Sequence, residues 1–262
     1  MSSLLYEQDG PYGIITLNRP DLLNAISIEL GEELTELLDK LEGELEPRVL
    51  IITGSERAFC AGADLKSVHA RAKGSNPALA SKRFLDGINQ LFARMETYPK
   101  PIVAAMSGIA YGGGCELALA CDVRVVADNS RIALSEVRLG VLPAAGGTQR
   151  LPRVIGLSRA KHMMLSGDPI DGQTALDWGF AQAIAPAANV LQAAKELSAP
   201  YLKGAPVSQT ALKACALAAF DSDTASGLKI ERQWANFLHT TTDSKEGVAA
   251  FNEKRKPNFQ GK

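Results

Sequence analysis

The sequence predicts an α/β protein with a layered core, and three observations support this fold class. Short β-branched runs with the length of buried strands alternate with amphipathic helices through the first half of the chain. Two of these strand-to-helix passes end in a turn opened by glycine. The second half is mostly helical. Strands that alternate with helices in this way are typical of a layered α/β core.

The composition is that of an ordinary globular protein. The chain has 262 residues, of which 46% are hydrophobic and 22% charged, with a formal net charge of −1 at pH 7. Such a near-neutral chain is not suited to broad binding of nucleic acids or membrane surfaces. No stretch reaches the ~18 apolar residues of a membrane span, and the first residues do not resemble a secretion signal. We expect a soluble cytoplasmic protein, or an organelle matrix protein whose targeting peptide was removed.

The four cysteines do not form a metal-binding pattern. None belongs to a Cys-x-x-Cys pair, and none lies near a histidine at metal-ligand spacing. We therefore expect free, buried thiols and no metal site. These residues are Cys60, Cys115, Cys121 and Cys215.

The chain begins with a predicted β-hairpin around Asp-Gly-Pro at residues 9–11. Ser27 then suits the N-cap of an amphipathic helix, and Gly43 suits its end. In order, the predicted elements of the first half are strands 4–8 and 12–17, helix 27–42, strand 48–53, loop 71–80, helix 82–96 and strand 101–106.

The second half is predicted to be helical over six segments. They cover residues 158–165, 171–178, 190–202, 207–219, 225–239 and 244–256. No linker rich in Pro, Gly or Ser separates the halves, so we expect a core (1–195) and a helical region (196–262) that form one functional unit. The segment 227–238 carries an apolar face that suggests packing against another subunit.

The candidate site centres on the glycine turn 112–114, which follows the strand 101–106 and precedes Glu116. Three glycines leave the backbone bare, and the first N–H groups of the next helix have no partner within it. One strand-like excursion, residues 122–133, can return Glu136 to the same cleft. Two acids beside an anion hole are an active-site hypothesis. Taken singly, Glu116 could instead be a helix-terminal carboxylate and Glu136 an exposed loop acid.

Several motifs in order resemble those of the enoyl-CoA hydratase/isomerase family, also called the crotonase superfamily. They are Leu-Asn-Arg-Pro (17–20), Ala-Phe-Cys-Ala-Gly-Ala-Asp-Leu (58–65), Gly-Gly-Gly-Cys-Glu-Leu-Ala (112–118), Ser-Glu (135–136) and Pro-Ala-Ala-Gly-Gly-Thr-Gln-Arg-Leu (143–151). The resemblance extends over essentially the whole chain. It implies a crotonase-like right-handed spiral of repeated ββα units with a C-terminal helical region used for trimerisation, commonly within a hexamer of two trimers.

The resemblance also implies an acyl-CoA thioester substrate and no metal or redox cofactor, because coenzyme A is part of the substrate. The two backbone N–H groups that hold the thioester oxygen in this family correspond to Ala63 and Gly113. Glu116 is then expected to hold and deprotonate a water, and Glu136 to deliver a proton to the α-carbon. Close carboxylates can perform this acid–base work.

Coenzyme A contacts are expected from two segments of the core and from the last helix, the latter supplied by a neighbouring subunit. The resemblance assigns them to Leu23, Ala25, Ala63, Asp64, Leu65, Lys66, Phe251 and Lys254. One departure concerns Ala144, where many hydratases have a glycine whose N–H helps to set the geometry of the glutamate and the water.

The sequence therefore predicts an enoyl-CoA hydratase that forms trimers or dimers of trimers and binds neither nucleic acid nor membrane. Isomerases of the family usually keep only one of the two acids, so the presence of both favours hydration. The alternatives are a Δ3-Δ2 enoyl-CoA isomerase and a specialised hydratase for branched or aromatic-pathway acyl groups, such as a methylglutaconyl-type enzyme. A binding protein of the same fold, or a hydratase that also binds RNA, stays open as a third.

Overall fold

The computed structural model describes residues 2–66 and 76–262, and its strands form two sheets. The strands are β1 (Leu4–Asp9), β2 (Tyr12–Leu17), β3 (Val49–Thr53), β4 (Ala58–Cys60), β5 (Ile102–Met106), β6 (Ile109–Tyr111), β7 (Val123–Ala127), β8 (Arg131–Ala133), β9 (Ile170–Asp171) and β10 (Ala183–Ala185). The larger sheet has the order β1-β2-β3-β5-β7-β10, and the smaller one β4-β6-β8-β9.

Each pass of the chain places one strand in each sheet, which makes the fold a spiral. The pairs β3/β4, β5/β6 and β7/β8 all follow this rule, and neighbouring strands of successive passes run parallel. The repeated ββα architecture is thus confirmed. The predicted single excursion over 122–133 is two strands, β7 and β8, because the turn at 128–130 sends the chain from one sheet to the other.

The helices surround these sheets and form the C-terminal region. They are α1 (Ile28–Glu42), α2 (Pro77–Thr97), α3 (Gly113–Leu119), α4 (Gly147–Ile155), α5 (Leu157–Ser166), α6 (Gly172–Asp177), α7 (Val190–Ser198), α8 (Pro206–Asp221), α9 (Thr224–Leu238) and α10 (Thr242–Asn252). Ser27 caps α1 as predicted, because its side chain accepts a hydrogen bond from the N–H of Leu30.

Three helix boundaries differ from the prediction. The prediction of a loop over 71–80 is wrong from Pro77 onward, where α2 begins. A proline is tolerated there because it lies in the first helical turn. Residues 71–75 lie outside the described residues. The helix expected to reach residue 202 ends at Ser198 and continues as a 3-10 helix, Ala199–Lys203. The last helix ends at Asn252, and Lys254 has a positive φ of 55° that ends any α-helical path.

The core lies between the sheets and the helices. Its largest fully buried side chains include Phe59 on β4, Phe92 on α2, Tyr98 directly after α2, and Phe180 after α6. The four cysteines are free; three are buried as expected, but Cys215 is only half-buried because α8 lies at the surface. Across residues 2–66 and 76–262, no helix is both long and apolar enough to cross a membrane.

Candidate active site

Glycine allows α3 to begin tightly against β4. Gly112 has φ 52° and ψ −122°, a backbone conformation that other residues rarely adopt. A Cβ on Gly114 would lie 2.0 Å from the carbonyl oxygen of Cys60, so only glycine permits this approach. The turn thus brings the first residues of α3 beside the segment that follows β4, which contains Ala63.

The amide nitrogens of Ala63 and Gly113 are neighbours. A Cβ on Gly113 would lie 3.5 Å from the nitrogen of Ala63, and one on Gly62 would lie 3.3 Å from the nitrogen of Gly113. Within the described parts of the chain, neither of these two N–H groups donates a hydrogen bond. Two adjacent unused donors at a helix start are suited to hold a negative oxygen.

Glu116 lies one turn into α3 and is 3% exposed. Its Oε1 accepts hydrogen bonds from the N–H groups of Ala145 and Gly147, each at 2.8 Å. Burial raises the pKa of this carboxyl, while those two N–H groups and the nearby Arg150 lower it, with a net upward shift. Both donors bind Oε1, so neither of them occupies Oε2.

Glu136 opens the 3-10 helix Glu136–Leu139 and faces the same turn. A Cβ on Gly112 would lie 3.0 Å from its Oε1. Its Oε2 is buried and has no hydrogen-bond partner among the described residues. Burial raises the pKa of Glu136 to about 7, and the negative charge of Glu116 contributes to the rise. Near neutral pH this group can therefore either give or take a proton.

The two segments predicted to contact coenzyme A lie side by side. The N–H of Ile26 donates to the carbonyl of Gly62 at 2.7 Å, and the N–H of Asp64 donates to the carbonyl of Ile26 at 2.9 Å. Asp64 also forms an ion pair with Arg19 at 2.7 Å. Residues 23–25 therefore run beside residues 61–64, while Leu65 and Lys66 are exposed beyond them.

The remaining predicted contacts are not joined to this site within the chain. Phe251 is 83% exposed at the end of α10, and Lys254 follows it. No hydrogen bond or ion pair among the described residues connects either of them with Ala63, Gly113 or the two glutamates. Their predicted contact with a ligand stays a prediction that requires a neighbouring subunit.

The loop before α4 contains contacts that the sequence did not indicate. The carbonyl of Ala144 accepts a hydrogen bond from Asn89 at 2.8 Å, and that of Ala145 accepts one from Arg150 at 2.8 Å. Arg150 is held in turn by Glu96 at 2.6 Å. Glu116 is bound by the N–H groups of Ala145 and Gly147, so Ala144 does not supply the donor to this glutamate. Arg150 lies in the quoted motif, but nothing in the sequence marks Asn89.

The comparisons with known proteins agree in one family. A sequence model of the family described as Enoyl-CoA hydratase/isomerase matches residues 10–262. The chain is 37% identical over 262 residues to the probable enoyl-CoA hydratase of Bacillus subtilis (strain 168), and 37% identical over 266 residues to the 2,3-dehydroadipyl-CoA hydratase of Escherichia coli (strain K12); both matches cover 100% of each chain. The crystal structure of enoyl-CoA hydratase from Bacillus anthracis has a TM-score of 0.92 at 35% identity and covers 99% of this chain and 100% of that chain.

Proposed function

Because the chain belongs to the enoyl-CoA hydratase/isomerase family, we propose that it catalyses the reversible syn addition of water to a trans-2-enoyl-CoA, giving a 3-hydroxyacyl-CoA. The observation that carries the proposal is the pair of carboxyl groups around one glycine turn, the buried Glu116 and the half-buried Glu136. Addition of water needs one group that takes a proton from the water and one that gives a proton to carbon, and two carboxyl groups can supply both.

In the proposed reaction, the water sits on the free oxygen of Glu116. Glu116 takes a proton from this water as its oxygen bonds to the β-carbon, and Glu136 gives its proton to the α-carbon. Charge that develops on the thioester oxygen is stabilised by the N–H groups of Ala63 and Gly113. A donor of this type typically contributes ~3–4 kcal/mol. Addition of water leaves the net oxidation state of the substrate unchanged, so the reaction needs no redox group.

We further propose that coenzyme A binds along residues 23–25 and 63–66 and that α8, α9 and α10 mediate trimerisation. The adjacency of the two core segments supports the first statement. The second is supported by α9, none of whose residues is buried in the single chain. In such an assembly, the exposed Phe251 of one chain can lie against the site of another.

The proposed function is tested by following the loss of the conjugated-enone absorbance of crotonyl-CoA. We expect the wild-type protein to consume the substrate, and Glu116→Gln and Glu136→Gln each to reduce kcat by about 100-fold or more. Glu7→Gln, a matched change on the exposed face of β1, should leave kcat unchanged.

The same variants separate hydration from isomerisation. A hydratase whose Glu116 activates water should lose turnover in Glu116→Gln but retain exchange of the α-proton with deuterated solvent through Glu136. Conversion of a 3-enoyl-CoA without any hydration would support the isomerase instead. If the wild type hydrates none of a panel of short, long, branched and aromatic enoyl-CoA esters, the proposed hydratase function is wrong.

A further inference from the structure

One peptide unit joins α2 to the buried carboxylate of Glu116. The unit consists of the carbonyl of Ala144 and the N–H of Ala145. Its oxygen accepts a hydrogen bond from Asn89 Nδ2 at 2.8 Å, and its N–H donates to Glu116 Oε1 at 2.8 Å. A continuous path of two hydrogen bonds therefore runs from the side chain of Asn89 to Glu116.

The side-chain amide of Asn89 is fully used as a donor. Besides Ala144, its Nδ2 donates to the carbonyl of Leu85 on the preceding turn of α2 at 2.9 Å. Because both partners are carbonyl oxygens, only the nitrogen of the amide can face them, and this defines its orientation. The bond to Leu85 holds the side chain in place, so its second N–H is directed at Ala144.

A hydrogen bond at the oxygen of a peptide unit strengthens the N–H of the same unit as a donor. The two bonds polarise each other; the bond from Ala145 to Glu116 is buried, whereas the one from Asn89 to Ala144 lies at the exposed end of the path. Glu116 is 3% exposed, so its ionised form depends on the few groups that face it. Besides the N–H groups of Ala145 and Gly147, these are Arg150, which favours the carboxylate, and Glu136, whose own pKa is raised by the charge of Glu116.

We propose that Asn89 is a positioning residue that acts through the Ala144–Ala145 peptide to orient Glu116 and to stabilise its ionised form. The inference rests on the proposed function only in giving Glu116 the role of base. It also explains why alanine is accepted at residue 144. The described non-glycine residues with positive φ are Leu23, Asn24 and Lys254, so Ala144 carries no such strain, and only its backbone carbonyl takes part.

The competing interpretation is that Asn89 merely ties α2 to the loop before α4. A tie of this kind would affect stability, or substrate affinity through the shape of the pocket, without changing the protonation of Glu116. The two interpretations therefore differ in the pKa of Glu116 and in whether kcat or KM responds.

The test uses Asn89→Ala, which favours helix, and Asn89→Leu, which keeps the side-chain size without a donor. Gln90→Ala and Gln90→Leu are the matched controls, because Gln90 is the exposed next residue of α2. The carboxyl of Glu116 is titrated without substrate by infrared difference spectroscopy, with Glu116→Gln identifying its band. We expect a higher Glu116 pKa in both Asn89 variants, a fall in kcat of about tenfold and a KM within about twofold of wild type.

An unchanged Glu116 titration in the folded Asn89 variants would overturn the proposal, as would a raised KM with unchanged kcat. The titration needs no turnover, so it decides this point even if the wild type hydrates no enoyl-CoA. An inactive wild type would contradict the proposed function, whereas the link from Asn89 to Glu116 would still be decided by the titration.

Discussion

Glu116 and Glu136 share one cleft but are held differently by the chain. Two backbone N–H groups and Arg150 oppose the effect of burial on Glu116, whereas the charge of Glu116 adds to the effect of burial on Glu136. Surroundings that push two carboxyl groups toward different protonation states suit one of them to act as base and the other as acid. This difference supports the roles that we propose for the two groups in hydration.

The first prediction concerns the pH dependence of hydration. Since Glu136 must carry a proton to protonate the α-carbon, kcat/KM should fall as the pH rises through about 7. Dehydration should show the same alkaline limb. The ratio of the two kcat/KM values is the equilibrium constant, and this does not change with pH because the overall reaction takes up no proton. Rates in both directions between about pH 5 and pH 9 check this. A flat profile in that range would contradict the role given to Glu136.

The second prediction concerns stability. The folded pKa of Glu136, about 7, lies above the ordinary 4.5, so the neutral form is favoured in the folded protein. The contribution of this group to the free energy of unfolding is fully present below pH ~4.5 and is lost as the pH rises through about 7. Glu136→Gln mimics the neutral form and should raise Tm by roughly 5 °C near pH 8, with little change near pH 4. Thermal unfolding at both pH values tests this, and an equal shift at both would refute it.

Sequence patterns predicted Glu116, Glu136, Ala63 and Gly113 as site residues, because they lie in short runs with a recognisable order of small and acidic side chains. Their catalytic roles stay predictions. Asn89 could not be found in this way, because its importance depends on a carbonyl 55 residues away in the chain. Which backbone group a polar helix residue faces is decided by packing between elements, and no local pattern records it.

At the scale of elements, the turn before α3 limits what can stand at residue 112. A third prediction is that Gly112→Ala lowers kcat by about tenfold or more, because a Cβ there would press on Glu136 Oε1 at 3.0 Å and the backbone conformation costs about 1–3 kcal/mol. Gly10→Ala is the matched control: its φ of 55° is nearly the same, and its Cβ would meet nothing within 4 Å. Both variants should lose some stability, measured by thermal unfolding. Equal activity in the two would contradict the prediction.

Helices with a clear apolar period and a cap were predictable, as α1 with Ser27 shows. The helix α4 was missed because Pro152 lies inside it, and an internal proline normally argues against a helix. Its glycine-rich start also looks like a loop, yet there the N–H of Gly147, which has no partner within the helix, donates to Glu116. Local propensity fails here because the functional site uses the backbone groups that an ordinary helix start leaves to solvent.

At the scale of the whole molecule, the assignment of strands to two sheets could not be read from local patterns. β5 and β6 are separated by two residues yet belong to different sheets, since Gly108 has φ +62° and turns the chain sharply. A Cβ on this glycine would lie 2.1 Å from the carbonyl oxygen of Arg57. The spiral was therefore expected from the family resemblance, and long-range pairing between strands gives its physical form.

The fourth prediction concerns assembly of the C-terminal region. Large apolar side chains remain exposed on its helices, including Leu228 (54%) and Phe237 (52%) on α9, a helix without a buried residue in the single chain. α9 packs against α8 within the chain, but its outer apolar face stays uncovered, and a second copy of the chain is the partner that we expect to cover it. Light scattering after size exclusion should give a mass of three or six chains for the wild type.

Leu228→Glu combined with Phe237→Glu should give monomers with lower activity, because Phe251 and Lys254 then lose the neighbouring site. Leu5→Glu, at an equally exposed leucine (52%) on the edge strand β1, should leave the assembly intact. A monomeric wild type that is fully active would contradict this prediction.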